Sequence, residues 1–490
     1  MRILFFDIGE IDYKGVEIIS AVLKQHGHTV DLLLDPGFGK HYYLKLPLLN
    51  HLITDARLLI KAIAFKPDII GMSIVTNNFQ YFRAFGKKLK DVMNVPIIVG
   101  GIHPTSVPEE VIKEDWVDMI CIGDGEEAMV ELIEKLESKV DISHIQNLWV
   151  KDKNGNVNKN SLRPLVKDLD KHPFPDRSIY AQYGVLGKRI RFMTARGCPH
   201  NCSFCVNSFR KNLYPEEHYL RKRSVQNVIS ELELLKKQYS PKGIRFEDDV
   251  FVLDKKWFNE FKAEYINKVS LPFHCYITPT GVSDEIVKSL KECGCESIAM
   301  GIQSGNETLR SNIMNRHYSN EKVIMAAEII KKHGLRLYAE YMFGFPEETP
   351  ENMMETLELS NKIHAYNSWS AIFYPFPGTG LYNYCCTTGN IDETIKRDIV
   401  NGKGSPQSFS VLNHPYKNEI RIFKTLLPLY TSAPRFIQKI LRPLLKRKYG
   451  LLHKMIYILS IPLLEKKEFF YRVVRLPVIL FKTFRILHQH

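Results

Sequence analysis

No run of eighteen apolar residues occurs in this 490-residue chain, so a membrane-spanning helix is not expected. The longest candidate, Met455 to Leu464, is ten residues long and contains Pro462. The opening Met1-Arg-Ile-Leu-Phe-Phe-Asp7 is too short an apolar run for a secretory signal and reads as a strand. Cysteine is sparse as well. Nine in this length do not make a disulfide scaffold, and only Cys121 precedes residue 198. A reducing, cytoplasmic setting is expected, where crowded cysteines serve a metal or a redox site. Acidic residues are scarce in one region only: residues 401–490 hold 17 Lys and Arg against 3 Asp and Glu, a net of +14. The whole chain is +13, so residues 1–400 sum to −1, and no nucleic-acid partner is expected.

What the chain does have is repeated strand–helix alternation. Ile3–Phe6, Thr29–Leu34, Asp68–Ile74, Pro96–Val99 and Met119–Ile122 read as buried strands. Val16–His26, Tyr81–Met93 and Glu127–Ser138 read as helices between them. Short apolar runs separated by helices indicate a parallel sheet covered on both faces, so residues 1–140 are expected to form an α/β doubly wound, Rossmann-like domain. Residues 141–189 read as a linker, with a hairpin-type turn at Lys151–Asn156 and the Pro-rich His172-Pro-Phe-Pro-Asp176. The alternation returns over 190–388 with six strands: Ile190–Thr194, Gly243–Glu247, Phe273–Ile277, Ser297–Gly301, Arg336–Met342 and Trp369–Tyr374. That pattern suits a partial, TIM-like (βα)6 barrel whose chemistry gathers at the strand C-termini. Residues 389–490 form a basic, Pro-punctuated helical extension.

Cys198-Pro-His-Asn-Cys202-Ser-Phe-Cys205 follows the first barrel strand directly. Clusters of four irons are normally held by four thiolates, so three leave one iron open to a ligand. The competing reading is a zinc site completed by His200, but a C-x3-C-x2-C triplet opening a barrel is much more specific than a lone CxxC.

This triplet, with Phe204 before its third Cys, resembles the signature of the radical S-adenosylmethionine (radical SAM) superfamily. The resemblance implies that Cys198, Cys202 and Cys205 hold a [4Fe–4S] cluster, that SAM chelates its open iron, and that SAM cleavage yields a 5′-deoxyadenosyl radical. It places Phe204 near the adenine. It assigns Glu247 and Asp248, in the run Phe246-Glu247-Asp248-Asp249, to the SAM amino or ribose groups. Gln303 and Ser304 would meet the ligand, Arg316 would pair with its carboxylate, and Gly344 would let backbone approach the adenine. The N-terminal segments Val99–Thr105 and Ile122–Glu127 resemble the cobalamin-binding domain of the cobalamin-dependent radical SAM subfamily, the class B methyltransferase-like enzymes. There Ser73, Thr76, Gly100 and Gly101 would surround the nucleotide tail. Many cobalamin proteins carry D-x-H-x-x-G, whose His ligates cobalt. With Gly15 aligned, this chain has Glu10 and Asp12 at the Asp and His positions, so cobalamin is expected without a His beneath the metal, with Asn77 and Asn78 facing that side. His103 has the bland reading of a hydrogen-bonding structural residue.

The resemblance implies methyl transfer to an unactivated carbon of a small-molecule substrate, with a lipid or other hydrophobic molecule as the candidate, and an external electron donor of the flavodoxin or ferredoxin type. Radical SAM oxidative cyclases and rearrangement enzymes share these cofactors and stand as the alternative. A methylthiotransferase needs a second cluster on N-terminal cysteines, which this chain does not supply. A non-enzymatic cobalamin-binding module would leave the cluster triplet unused. In the extension, Lys417, Arg421 and Lys424 share one helical face beside Ile420, Phe423 and Leu427, and Leu441–Lys448 and Phe469–Leu487 mix basic with apolar residues. That pattern suits either a helix packed on the barrel with a solvated basic face or peripheral contact with the inner membrane surface.

Overall fold

A computed structural model describes residues 1–9, 12, 14–35, 47–407, 409–446, 448–450, 452, 453, 455 and 456. Glu10, and with it the expected Asp position of the cobalamin motif, lies outside the described residues, as does Phe469–Leu487.

The chain builds two sheets in sequence. The first contains β1 (Arg2–Ile8), β2 (Thr29–Asp35), β3 (Ile69–Ser73), β4 (Ile97–Gly100), β5 (Met119–Cys121), β6 (Leu148–Lys151) and β7 (Val157–Lys159), in the spatial order β2-β1-β3-β4-β5-β6-β7. The first five are parallel, with the order reversing beside β1, as in doubly wound domains. Their fully buried Ile, Leu and Val runs are what helices on both faces require. Residues 141–189 do more than connect. They supply β6 and β7, an antiparallel hairpin that extends the sheet beyond β5. Asp152 Oδ1 accepts from the backbone N–H groups of both Asn154 and Asn156 and closes its turn.

The second sheet starts at β8 (Arg189–Phe192). A two-stranded ribbon follows, β9 (Ala195–Arg196) against β10 (Arg221–Lys222). Then come β11 (Gly243–Phe246), β12 (Phe273–Tyr276), β13 (Cys295–Gln303), β14 (Arg336–Phe343) and β15 (Asn367–Ile372). The order β15-β14-β13-β12-β11-β8 is entirely parallel, an open six-stranded barrel wall. The intervening helices begin at Ser224, Ser283, Ser319 and Thr349, each accepting from the backbone N–H three residues on. Alternate residues of each strand, such as Phe246, Cys275, Ile298 and Tyr341, enter one core with these helices. Cys121, Cys275, Cys293, Cys295 and Cys385 are buried free thiols.

The extension begins as a barrel element. Helix Lys417–Ser432 lies on β15 and buries Ile420, Phe423 and Leu427 in the barrel core, while Lys417 and Arg421 stay exposed. Its apolar stripe is consumed by packing. Among the described residues no helix is long and apolar enough to cross a membrane.

Candidate active site between the two sheets

The loop after β8 is shaped before its cysteines arrive. Gly197 has φ +92°, and a Cβ there would stand 2.7 Å from the Tyr219 carbonyl oxygen, so only glycine fits. Cys198 and Cys205 are half-buried and Cys202 is buried. Cys205 leads into helix Val206–Asn212. The loop is stitched to the far side of the barrel: Ser203 N–H donates to Met314 O (3.1 Å), Asn315 Nδ2 to Asn201 O (2.8 Å), and Leu381 N–H to Ser203 O (2.8 Å).

The sulfur surroundings suit anionic sulfur. The backbone N–H groups of His200 and Asn207 face Cys198 and Cys205, and Arg316 Nη1 lies 3.7 Å from Cys202 Sγ. Burial pushes the Cys198 thiol up to about 11 and raises Cys205 too, so a cationic group is needed to hold both as thiolates. Among the described residues no three His, Cys, Asp or Glu side chains converge on one ion, and His200 is exposed. A single zinc is therefore disfavoured. A cluster places each thiolate on its own iron, and these residues fit one.

The other expected SAM contacts divide into two groups. Phe204 lies within the cluster loop and Arg316 reaches it, while Glu247 follows β11 and Gln303 ends β13. Phe204 meets Phe345 edge to face at 5.7 Å. Glu247 pairs with Arg191 (3.1 Å) and Arg245 (2.6 Å). Gln303 has φ +71° at a bulge in β13. Arg316 donates to Gly301 O (2.7 Å) and Tyr318 Oη (3.1 Å), tying the β13 end to Cys202. Asp248, Ser304 and Gly344 are turned elsewhere. Asp248 is fully buried and accepts from Thr194 N (3.0 Å) and Oγ1 (2.8 Å). Burial raises its carboxyl to about 6 despite those bonds. Ser304 is buried against Thr356 (3.3 Å). Gly344 has φ +85°, which calls for glycine, and its missing Cβ would stand 3.2 Å from the Ile420 side chain of the helix packed on it. Beside it Glu348 is buried, its carboxyl raised to about 8 by desolvation, and it accepts from Gly344 N (2.5 Å) and Phe345 N (3.3 Å).

Between the two sheets runs a cleft whose empty space, counted out to the solvent, is about 1700 Å³. Ser73, Gly100 and Gly101 line it at the ends of β3 and β4, with Gly123 and Gly125 after β5. Gly101 has φ +94°, and a Cβ would come within 2.8 Å of Ile74 backbone atoms. A floor of glycine backbone suits a bulky ligand laid flat against strand ends, which fits cobalamin. Thr76 is not in the lining; it is buried beneath, 3.3 Å from His103 Nδ1. His103 is fully buried, and desolvation with nearby Arg83 lowers it to about 3, so it is a neutral structural residue. Asn77 and Asn78 form a turn outside the lining. Asp12, at the expected cobalt-ligand position, pairs with Lys14, and its carbonyl accepts from Arg191 (3.1 Å).

The cluster loop and the cleft share a wall. Asp124, after β5, accepts from Arg210 (2.7 Å), Arg221 (2.9 Å) and Arg196 (3.2 Å), all from the second half of the chain. Arg196 also holds Glu126 (2.5 Å). Burial alone would raise the Asp124 carboxyl, but the three guanidinium groups overcome it and hold the group far below the usual range. Arg196, Arg210, Asn207 and Asp249 join Asp124 in the lining. None of these was singled out from the sequence. The three arginines are 25 residues apart at most in number but meet Asp124 only through the fold, whereas Asp249 was visible as the third acid of its run.

A family model described as the Radical SAM superfamily matches residues 192–360, and the B12 binding domain matches residues 9–133. An uncharacterized methyltransferase of Pyrococcus horikoshii is 29% identical over 326 residues, covering 65% of this chain and 70% of that protein. An anaerobic magnesium-protoporphyrin IX monomethyl ester cyclase of Rubrivivax gelatinosus is 24% identical over 406 residues, 78% of this chain and 69% of that one. Among solved structures, the radical SAM methyltransferase TsrM from Kitasatospora setae aligns with a TM-score of 0.64 at 17% identity, covering 79% and 76% of the two chains. OxsB with aqua-cobalamin aligns at 0.66 and 15% identity, covering 94% and 72%. The chain thus carries a radical SAM domain behind a B12 binding domain, and its cofactors are a [4Fe–4S] cluster, S-adenosylmethionine and cobalamin.

Proposed function

We propose that this enzyme transfers a methyl group to an unactivated carbon of a small-molecule substrate. The observation that carries the reading is the shared wall: Arg196 and Arg210 bracket the three cysteines, and both end on Asp124 in the glycine-floored cleft. Radical generation and cobalamin binding are thereby held side by side. When bound, the cluster supplies the electron that splits SAM, and cobalamin supplies the methyl group. Cys198, Cys202 and Cys205 hold the cluster. Glu247, Gln303 and Arg316 orient SAM, with Phe204 against its adenine. Asp248, Ser304 and Gly344 set the strand ends that carry those contacts. Ser73, Gly100 and Gly101 take the nucleotide tail, with Thr76 supporting them from below. A flavodoxin- or ferredoxin-like protein delivers the electron.

The test is anaerobic reconstitution with iron, sulfide and cobalamin, followed by SAM and reductant. Formation of both 5′-deoxyadenosine and S-adenosylhomocysteine is expected; absence of both refutes the reading. The cyclase of Rubrivivax gelatinosus favours a second reading, oxidative cyclisation. Product mass separates them, since methylation adds a methylene unit and cyclisation removes hydrogen. Membrane contact is left to the short helix Arg435–Leu441, where Phe436 and Ile440 are exposed, because the longer helix before it spends its apolar face on β15. Unchanged liposome binding on replacing both Phe436 and Ile440 with Ser would dismiss it.

A further inference from the structure

The concave face of the second sheet carries chemistry that the cofactors do not use. Its orientation follows from strand alternation. Leu337, Ala339, Tyr341 and Phe343 of β14 face the helices, in the outer core. On β15, Ser368 bonds Ser360 (3.1 Å) and Ser370 donates to Lys424 O (2.9 Å), both on outer helices. Tyr338, Glu340 and Trp369 therefore face inward. The Tyr338 ring meets the inward His274 ring at 5.7 Å, two strands away. Glu340 and Trp369 are register partners on adjacent strands.

Two carboxylates here are each shared by two guanidinium groups. Glu247 takes both Arg191 and Arg245, and Glu296 takes both Arg189 (2.5 Å) and Arg336 (2.9 Å). Glu340 is the exception: among the described residues it has no hydrogen-bond or ion-pair partner, although it is half-buried. Trp369 is 50% exposed and stacks on no ring or cation. A tryptophan left half in water has its hydrophobic area and its ring face unused. It sits on β15, an edge of the open sheet, so a ligand entering through the gap reaches it first.

We propose that the substrate carries a cationic nitrogen, held between the Glu340 carboxylate and the Trp369 indole on the inner face of the barrel. A carboxylate and an aromatic face are the two groups that recognise an ammonium ion, one by charge and the other by its ring quadrupole. Arg245 and Arg316 act on the Glu340 carboxylate through space, but neither bonds to it: Arg245 is held by Glu247, and Arg316 by Gly301 O and Tyr318 Oη. Burial pushes the Glu340 carboxyl upward, a cost that an arriving cation offsets. Glu340 lies four residues before Gly344, roughly 13 Å down the strand. The amine thus anchors the far end of an elongated substrate, and the reacting carbon points to the strand ends. The polar pairs lining this face speak against a wholly apolar lipid substrate.

The proposal rests on the methyl-transfer reading for what befalls the substrate, but not for where it binds. The experiment is calorimetric titration of the reconstituted full-length enzyme with phenethylamine, 2-phenylethanol and 3-phenylpropionate. The amine is expected to bind about tenfold tighter than the alcohol, and the acid weakest. Glu340→Gln removes the amine's advantage, and Trp369→Leu weakens the amine by about fivefold. Iron and cobalamin content report whether each variant has folded. Equal binding of amine and alcohol, an advantage that survives Glu340→Gln, or no amine binding up to about 10 mM overturns the proposal. Assay of 5′-deoxyadenosine and S-adenosylhomocysteine in the same preparation tests the methyl-transfer reading separately. If those products form and the amine preference is absent, only the present inference falls.

Discussion

Replacing Asp124 with Asn removes the charge on which three arginines converge. Arg221 loses most: its side chain is 2% exposed, and its remaining partner is the Val166 carbonyl at 3.0 Å. Arg196 keeps Glu126, and both Arg196 and Arg210 have partial access to water, so their losses are screened. Breaking a buried pair by removing one partner costs about 3–5 kcal/mol. With one fully buried guanidinium and two partly solvated ones, about 3 kcal/mol is expected. The damage should be local, because Asp124 ties the cluster-bearing segment to the first sheet. Backbone amides of residues 206–213 and 219–222 should exchange hydrogen about a hundredfold faster, the equivalent of 3 kcal/mol in opening. Amides of β13 and β14 should be unaffected.

The pH dependence fixes the cause. The Asp124 carboxyl is depressed in the folded protein, so its stabilisation is present above the unfolded value near 3.9 and fades as pH falls through the folded value. The difference between wild type and Asp124→Asn should be constant from about pH 5 upward and shrink below about pH 4. Exchange that is unchanged in residues 206–222, or a deficit that persists undiminished in acid, would refute the ionic account.

Arg316→Lys should raise the dissociation constant for SAM about tenfold with iron content unchanged, since a lysine cannot hold Gly301 O and face the Cys202 sulfur together; equilibrium dialysis measures it. Gly101→Ala forces a Cβ to within 2.8 Å of Ile74 backbone at φ +94°, and should cost about 1–3 kcal/mol and lower retained cobalamin in the visible spectrum. Glu348→Gln keeps an acceptor for Gly344 N–H without the buried charge. The folded carboxyl is raised to about 8, so wild-type stability falls as pH climbs from the unfolded value toward 8. The variant should match wild type near pH 4.5 and exceed it by about 2 kcal/mol at pH 8 in urea unfolding.

The elements legible in the sequence were those with a local signal. Both sets of parallel strands show as apolar runs of four to six residues, and the cysteine loop shows as a spacing. Side-chain direction past a strand end has no such signal. In Phe246-Glu247-Asp248-Asp249 three acids look equivalent. Alternation sends Glu247 inward to Arg191, turns Asp248 back to Thr194, and leaves Asp249 for the cleft. The surroundings of Thr76 and Gly344 were hidden for the same reason. A small residue near a strand end suits a ligand or a packed helix, and the approach of Ile420 to Gly344 comes from a helix about 75 residues away in the chain. The hairpin turn at Lys151–Asn156 was visible, but its addition to β5 depends on an unsatisfied sheet edge that sequence does not display.

The altered cobalamin motif follows from these constraints. A histidine beneath cobalt must reach into the cleft, yet Asp12, the residue at that position, is not part of the lining. It is 4% exposed, pairs with Lys14, and stands 3.9 Å from Arg191, the residue that holds Glu247. A neutral imidazole could not balance Lys14 and Arg191 there. The position thus contributes charge to the junction with the barrel instead of a ligand to the metal. Asp12→His should therefore loosen that junction without gaining a nitrogen on cobalt. Retained cobalamin should show no new nitrogen hyperfine splitting in its paramagnetic resonance spectrum. Appearance of that splitting would show that the side chain at position 12 still reaches the cleft.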